Sequence, residues 1–156
     1  MFNPLVHKKP YGATAVNKET TFTFPLLKSL GIKRVFVVLR FDDKVVRQEL
    51  PLSHSTESED IFVGKVVLYD SGIWHYRFEG EYVDGTFAFF GRDVDGSAIK
   101  GDWLPEWQLT VSKVDYKTPN WLKRGVIYQI FPDRFCKVGS REFAKRGRFH
   151  TNWYDR

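Results

Sequence analysis

Apolar and polar residues alternate with a period of two through the first two-thirds of the chain. Phe22 and Phe24 fall on one side of a segment whose other side carries threonines, and Trp74, Tyr76 and Phe78 repeat the pattern. A period of two places successive side chains on opposite faces of a sheet, so one face of each segment is expected to be buried. The pattern predicts strands over residues 20–27, 34–41, 45–50, 61–69, 73–79, 87–90 and 107–112.

Turn residues separate these segments at short intervals. Asp70-Ser71-Gly72 and Asp84-Gly85 predict tight turns, while residues 52–60 and 91–102 are predicted to be loops. About seven short strands at this spacing predict an all-β, immunoglobulin-like antiparallel β-sandwich. Aromatic residues make up 17% of the chain. Most of these rings are expected in the core, although rings of this kind also suit sugar-binding faces.

Two runs are apolar on both faces. Residues 34–41 (RVFVVLRF) predict a central strand that is covered on two sides, and residues 125–131 (GVIYQIF) predict a strand of the type that parallel sheets and barrels bury. Thr118-Pro119-Asn120 precedes the second run and indicates a linker, because proline restricts its neighbour and stops sheet pairing. No partner strand follows, and such a strand is not stable alone. We therefore expect a cut chain: a sandwich domain at 1–113, a linker at 114–124 and the start of a truncated domain at 125–156.

Charge and cysteine content argue against several classes of protein. The net charge is +5, but 6 of the 24 basic and 2 of the 19 acidic residues lie in 137–156, so the first 136 residues carry only +1. This distribution disfavours nucleic-acid binding by the folded body. The single cysteine, Cys136, excludes an internal disulfide and a cysteine-based zinc site. No signal peptide or membrane-length apolar stretch is recognisable, so we expect a cytoplasmic protein with no membrane partner.

Two stretches resemble a known enzyme family. Residues 121–135 (WLKRGVIYQIFPDRF), preceded by the Thr118-Pro119 linker, resemble the opening of the catalytic domain of glycoside hydrolase family 13, the α-amylase family. Residues 9–26, with the Pro10-Tyr11-Gly12-Ala13 pattern, resemble the N-terminal domain of its neopullulanase, cyclomaltodextrinase and maltogenic-amylase branch. The resemblance implies a domain of carbohydrate-binding module family 34, followed by the first strand of a (β/α)8 barrel.

The resemblance also implies what this chain lacks. Retaining glycoside hydrolysis needs a pair of carboxyl groups, and the family supplies them from later barrel strands, so no catalytic residue is assigned here. Asp133 is expected to be structural, paired with Arg134. Many family members bind calcium in the next loop, but residues 136–141 (CKVGSR) offer only a serine and backbone oxygens. Asp93 and Asp95 are expected to form an ordinary turn, so we predict no metal and no cofactor.

Four aromatic residues are the candidate substrate-binding positions. Trp103 and Trp107 flank Pro105 in a predicted loop, and Phe89 and Phe90 point in opposite directions, so one of the two must face away from the core. The expected partners are an α-glucan or cyclodextrin, the missing catalytic barrel and a possible homodimer, in which the family's N-terminal domain reaches over a partner's active site. The alternative is a β-sandwich protein-interaction module that binds no sugar.

Overall fold

A computed structural model describes residues 1–114, 117, 119–123 and 125–129. The chain divides into two compact units, Met1–Lys117 and Thr118–Arg156. The first unit contains α1 (Pro4–His7), β1 (Lys8–Lys9), β2 (Thr14–Ala15), β3 (Glu19–Leu27), a 3-10 turn (Lys28–Leu30), β4 (Ile32–Phe41), β5 (Lys44–Leu50), β6 (Leu52–Ser55), β7 (Glu59–Val67), β8 (Gly72–Tyr82), β9 (Phe87–Arg92), β10 (Ala98–Lys100) and β11 (Trp107–Ser112). The described part of the second unit contains one helical turn, α2 (Asn120–Lys123). No helix in these ranges is long and apolar enough to cross a membrane.

The strands of the first unit form two sheets. The smaller sheet has the order β1-β3-β7-β6, and the larger has seven strands arranged around β8. One edge of β8 pairs with β4, which also pairs with β5, while the other edge pairs with β11 near its beginning and with β9 near its end. All these pairs are antiparallel; β2 joins β11 in parallel. The predicted antiparallel β-sandwich is confirmed, and each of the seven predicted strands is present.

The core is built from the alternating aromatic residues of both sheets. Phe22 and Phe24 on β3 and Tyr76 and Phe78 on β8 are buried, and ring centroids of facing pairs lie 4.5 to 5.9 Å apart. Tilted and edge-on contacts at this distance suit the charge distribution of aromatic rings. Phe2 enters the same cluster from the N-terminus and is fully buried. The period-two prediction for these core faces therefore holds.

Strand β4 is covered on its outer side by arginine side chains. Phe36 and Val38 are buried although they lie outside the main core cluster. The guanidinium carbon of Arg47 lies 3.6 Å from the centroid of the Phe36 ring. Arginine stems bury apolar surface while their charged ends stay hydrated, and the ring face attracts the cation. Both apolar faces of β4 are therefore shielded from water, the inner one by the core and the outer one by arginine side chains instead of a further layer of secondary structure.

Three segments differ from the sequence prediction. Residues 52–55 of the predicted polar loop form β6, an edge strand whose four residues are exposed, and residues 98–100 form β10. An exposed edge strand can be polar on both sides, so alternation does not reveal it.

Residues 125–129 belong to no strand, and Val126, Ile127 and Tyr128 are exposed. A strand forms only when a neighbour satisfies its backbone, and 125–129 have no such neighbour within the described ranges. Ile130, Phe131, Asp133 and residues 136–141 lie outside those ranges.

Candidate functional site

The loop that joins β10 to β11, residues 101–106, is attached to β9 and is called here the Trp103 loop. The backbone N–H of Arg92 donates to the Pro105 carbonyl at 2.7 Å, and the N–H of Gly101 donates to the Phe89 carbonyl at 3.0 Å. Gly91 permits this approach, because a Cβ at that position would lie 2.8 Å from the Pro105 oxygen and would collide with Leu104. A glycine in the strand therefore marks where a second backbone crosses closely.

Trp103 lies at the tip of this loop with its indole fully exposed. Its φ of 58° places it in the left-handed region, where a bulky residue is a conformational outlier. Such strain persists only when the surrounding structure imposes it, and strained residues cluster at functional sites. An exposed tryptophan on a constrained backbone is therefore a candidate contact for a ligand or a partner.

A groove of about 420 Å³ lies between the Trp103 loop and the outer face of the larger sheet, and is called the Trp103 groove. The residues that give it chemical character are Arg40, Arg77, Phe89, Asp102, Trp103 and Glu106. Two guanidinium groups and two carboxylates make the formal charge of this set zero. Apolar rings combined with a few polar groups are typical of small-ligand sites.

Ion pairs fix the polar side of the groove. Glu106 accepts a hydrogen bond from Arg40 at 2.5 Å, and the Arg77 guanidinium lies 3.9 Å from the same carboxylate. Arg77 also donates to Glu79 at 2.9 Å, and its guanidinium carbon lies 5.1 Å from the centroid of the Phe89 ring. Planar guanidinium groups held between carboxylates and a ring present their donors in defined directions. The arrangement can orient the hydroxyl groups of a neutral ligand.

The structure separates the four predicted aromatic positions into two pairs. Trp103, Phe89 and Phe90 all line the Trp103 groove, but Trp103 is exposed and Phe89 half-buried, whereas Phe90 is buried. The rings of Phe90 and Trp107 are buried, at 0% and 4% exposure, so neither ring is available for stacking on a ligand. Trp107 stacks on Tyr76 at 5.4 Å and donates its indole N–H to the Gly96 carbonyl at 2.8 Å. Both rings therefore pack in the core, and a substrate-binding role for these two residues stays a prediction.

The charged residues of the groove were not among the predicted positions. Arg40 lies near the end of β4 and is the last residue of that strand on its outward face. Arg77 lies on the outward face of β8, between buried Tyr76 and Phe78. The same period-two alternation that identifies core residues places both arginines outside, which is the signal that would have found them. Nothing local indicates that Glu106, far along the chain, joins them.

The predicted turn at Asp93 and Asp95 is present. The Asp95 carboxylate accepts from the backbone N–H of Ser97 at 2.8 Å and from its hydroxyl at 2.7 Å. These hydrogen bonds lower the pKa of Asp95, because they stabilise its charged form. Across the described ranges, no three His, Cys, Asp or Glu side chains gather in a metal-binding group.

No protein-family profile matches the chain. It is 31% identical over an alignment of 166 residues to an amylopullulanase of Thermoanaerobacterium thermosulfurigenes. It is 28% identical to an amylopullulanase of Thermoanaerobacter thermohydrosulfuricus and 30% identical to one of Thermoanaerobacterium saccharolyticum. Each alignment covers 95% of this chain but only 9%, 11% and 13% of the respective relative. The chain thus spans about a tenth of the length of the curated relatives it matches.

Proposed function

We propose that the sandwich is an accessory domain of an α-glucan-acting glycoside hydrolase of family 13, and that the Trp103 groove binds the glucan. The observation that carries the proposal is the fully exposed, conformationally constrained Trp103 beside a groove of zero formal charge. A pyranose ring presents an apolar C–H face and a rim of hydroxyl groups. The Trp103 indole can stack on the C–H face, and the oriented Arg40, Arg77 and Glu106 groups can form hydrogen bonds with the hydroxyl groups.

The amylopullulanase relatives support the α-glucan part of this proposal. Their name, amylopullulanase, indicates that they act on glucans of the amylose and pullulan type, and this chain aligns with a short part of each. In this proposal, bond cleavage belongs to other parts of a longer protein. Membership of the neopullulanase branch and of carbohydrate-binding module family 34 is part of the same proposal and rests on the motifs at residues 10–13 and 121–135.

The test is calorimetric titration of the chain with β-cyclodextrin and maltoheptaose. We expect saturable heat for both ligands. Trp103→Ala should weaken binding by about 30-fold, because truncating a central tryptophan of a contact costs about 2 kcal/mol. Tyr69→Ala is the matched control, since Tyr69 is also an exposed aromatic residue of the sandwich but does not line the groove. Absence of heat with both glucans, or equal loss in both variants, would contradict the proposal.

The runner-up is that the same surface binds protein, including a second copy of this chain. Tryptophan and arginine are the residue types that dominate protein interfaces, and Trp103, Arg40 and Arg77 lie together here. Sedimentation velocity distinguishes this function: a dimer that dissociates in Trp103→Ala, without glucan heat in the wild type, favours it. A monomer that binds β-cyclodextrin favours the accessory glucan-binding domain.

A further inference from the structure

A second cavity, of about 600 Å³, lies beside the connection between β1 and β2 and is called the Lys8 cavity. Its wall includes Lys8, Gly12, Tyr76, Arg92, Glu106 and Trp107. It shares Glu106 with the Trp103 groove but has a different character, because its lining contains an almost completely buried lysine residue. The proposed glucan site makes no use of this group.

Lys8 is only 4% exposed. Its ammonium group donates to the Pro10 carbonyl at 2.6 Å and to the Gly12 carbonyl at 2.8 Å, which explains how the 10–13 motif is folded. These two hydrogen bonds use two of its three protons, and the carbonyls carry no formal charge. No carboxylate of the described residues lies within 4 Å of the Lys8 nitrogen. A buried charge without a counterion is costly.

Two further donors line the same cavity. Tyr76 is 1% exposed, and its hydroxyl makes no hydrogen bond to any residue of the described ranges. Arg92 is exposed and forms no ion pair within those ranges. Glu106 is the carboxylate of the lining, and it is already bound to Arg40. Among its described lining residues, the cavity therefore brings two cationic groups and a buried hydroxyl together beside one carboxylate that is already paired.

We propose that the Lys8 cavity binds the carboxylate or phosphate group of a small ligand. The third proton of the Lys8 ammonium group is the principal donor, and the Tyr76 hydroxyl and the Arg92 guanidinium group are the others. Hydrogen bonds between ionised partners are about twice as strong as neutral ones, and an anion offsets the buried charge, which a water molecule does not. Burial lowers the pKa of Lys8 to about 8, so the ammonium form still predominates at neutral pH.

The probes are inorganic phosphate and, in a separate titration, acetate, each compared with sodium chloride at equal ionic strength. We follow the amide signals of Gly12 and Gly96 and the indole signal of Trp107 by NMR on the full chain. Lys8→Met should weaken binding at least about tenfold, because a charged hydrogen bond contributes about 1.5 kcal/mol or more. Lys9→Met is the matched control: it removes the same charge from the neighbouring, exposed position and should leave binding unchanged.

If only phosphate gives saturable changes in the NMR signals, the cavity binds a phosphate group. If phosphate and acetate both give them, the cavity accepts either group. Arg92→Gln keeps the test decisive if Lys8→Met unfolds, because Arg92 is exposed, and its loss should weaken binding while the fold remains. The proposal is overturned if neither anion gives a saturable change beyond the chloride control. Equal weakening in Lys8→Met and Lys9→Met also overturns it, since the effect would then be one of net charge.

Discussion

Gly91 is the position at which the attachment of the Trp103 loop can be tested most directly. In Gly91→Ala the new Cβ would lie 2.8 Å from the Pro105 oxygen, about 0.5 Å closer than an ordinary carbon–oxygen contact, and would overlap Leu104. The loop must therefore move away from β9. The 2.7 Å hydrogen bond between the Arg92 N–H and the Pro105 carbonyl would then stretch beyond about 3.2 Å, where it is weak.

Overpacking of this kind costs about 1–3 kcal/mol, and the weakened hydrogen bond adds up to about 1 kcal/mol. For a unit of this size, a loss of about 2–3 kcal/mol corresponds to a fall in Tm of about 8–12 °C. Thermal unfolding followed by circular dichroism measures this change. Because the loop carries Trp103, calorimetric titration of the same variant with β-cyclodextrin should show weaker binding.

Gly12→Ala is the control for the Gly91 experiment. A Cβ at Gly12 would have no atom within 4 Å, and its φ is not positive, so the substitution should change the free energy of unfolding by less than about 0.5 kcal/mol. If Gly91→Ala unfolds at the wild-type temperature and binds glucan normally, the loop is not held against β9 as described. A structural link between Gly91 and the groove would then be refuted.

Three further predictions concern the core, the groove and the buried lysine. Phe24→Ala should lower the free energy of unfolding by about 3–5 kcal/mol in urea, because the ring is fully buried among other rings; a loss below 1 kcal/mol would contradict that packing. Glu106→Gln removes the ion pair to Arg40 and the longer contact to Arg77, which Glu79 still holds, so it should weaken glucan binding in calorimetry while costing only about 1 kcal/mol of stability; normal affinity would contradict the orienting role. Burial lowers the pKa of Lys8 from 10.5 to about 8, so the charge penalty is fully present below pH 8 and is relieved as the pH rises toward 10.5. The free energy of unfolding of the wild type, relative to that of Lys8→Met, should therefore increase over that window by up to about 3 kcal/mol. If urea unfolding gives the same pH dependence of this free energy for both proteins, the pKa of Lys8 is not lowered.

Local sequence pattern alone was sufficient for the seven longer strands and for the core faces of β3 and β8, but not for the short strands such as β6 and β10. The alternation of Trp74, Tyr76 and Phe78 assigned all three to the core, where each is at most 1% exposed. The physical reason is that successive side chains of a strand point to opposite faces, so the residues that share a face can be read from alternate positions in the sequence. Turn residues such as Asp84-Gly85 then fixed where one strand ends and the next begins.

Contacts between distant segments decided the candidate sites. Parity showed that Phe89 and Phe90 face opposite ways, but which of them faces outward depends on how β9 pairs with β8. Trp107 begins β11 as predicted, but only the pairing of that strand shows that its ring packs in the core beside Tyr76. Arg40, Arg77 and Glu106 meet, and Lys8 is buried, only because the sheet brings together residues far apart in the chain. No local pattern encodes these placements, since strand pairing is set by the packing of the whole domain.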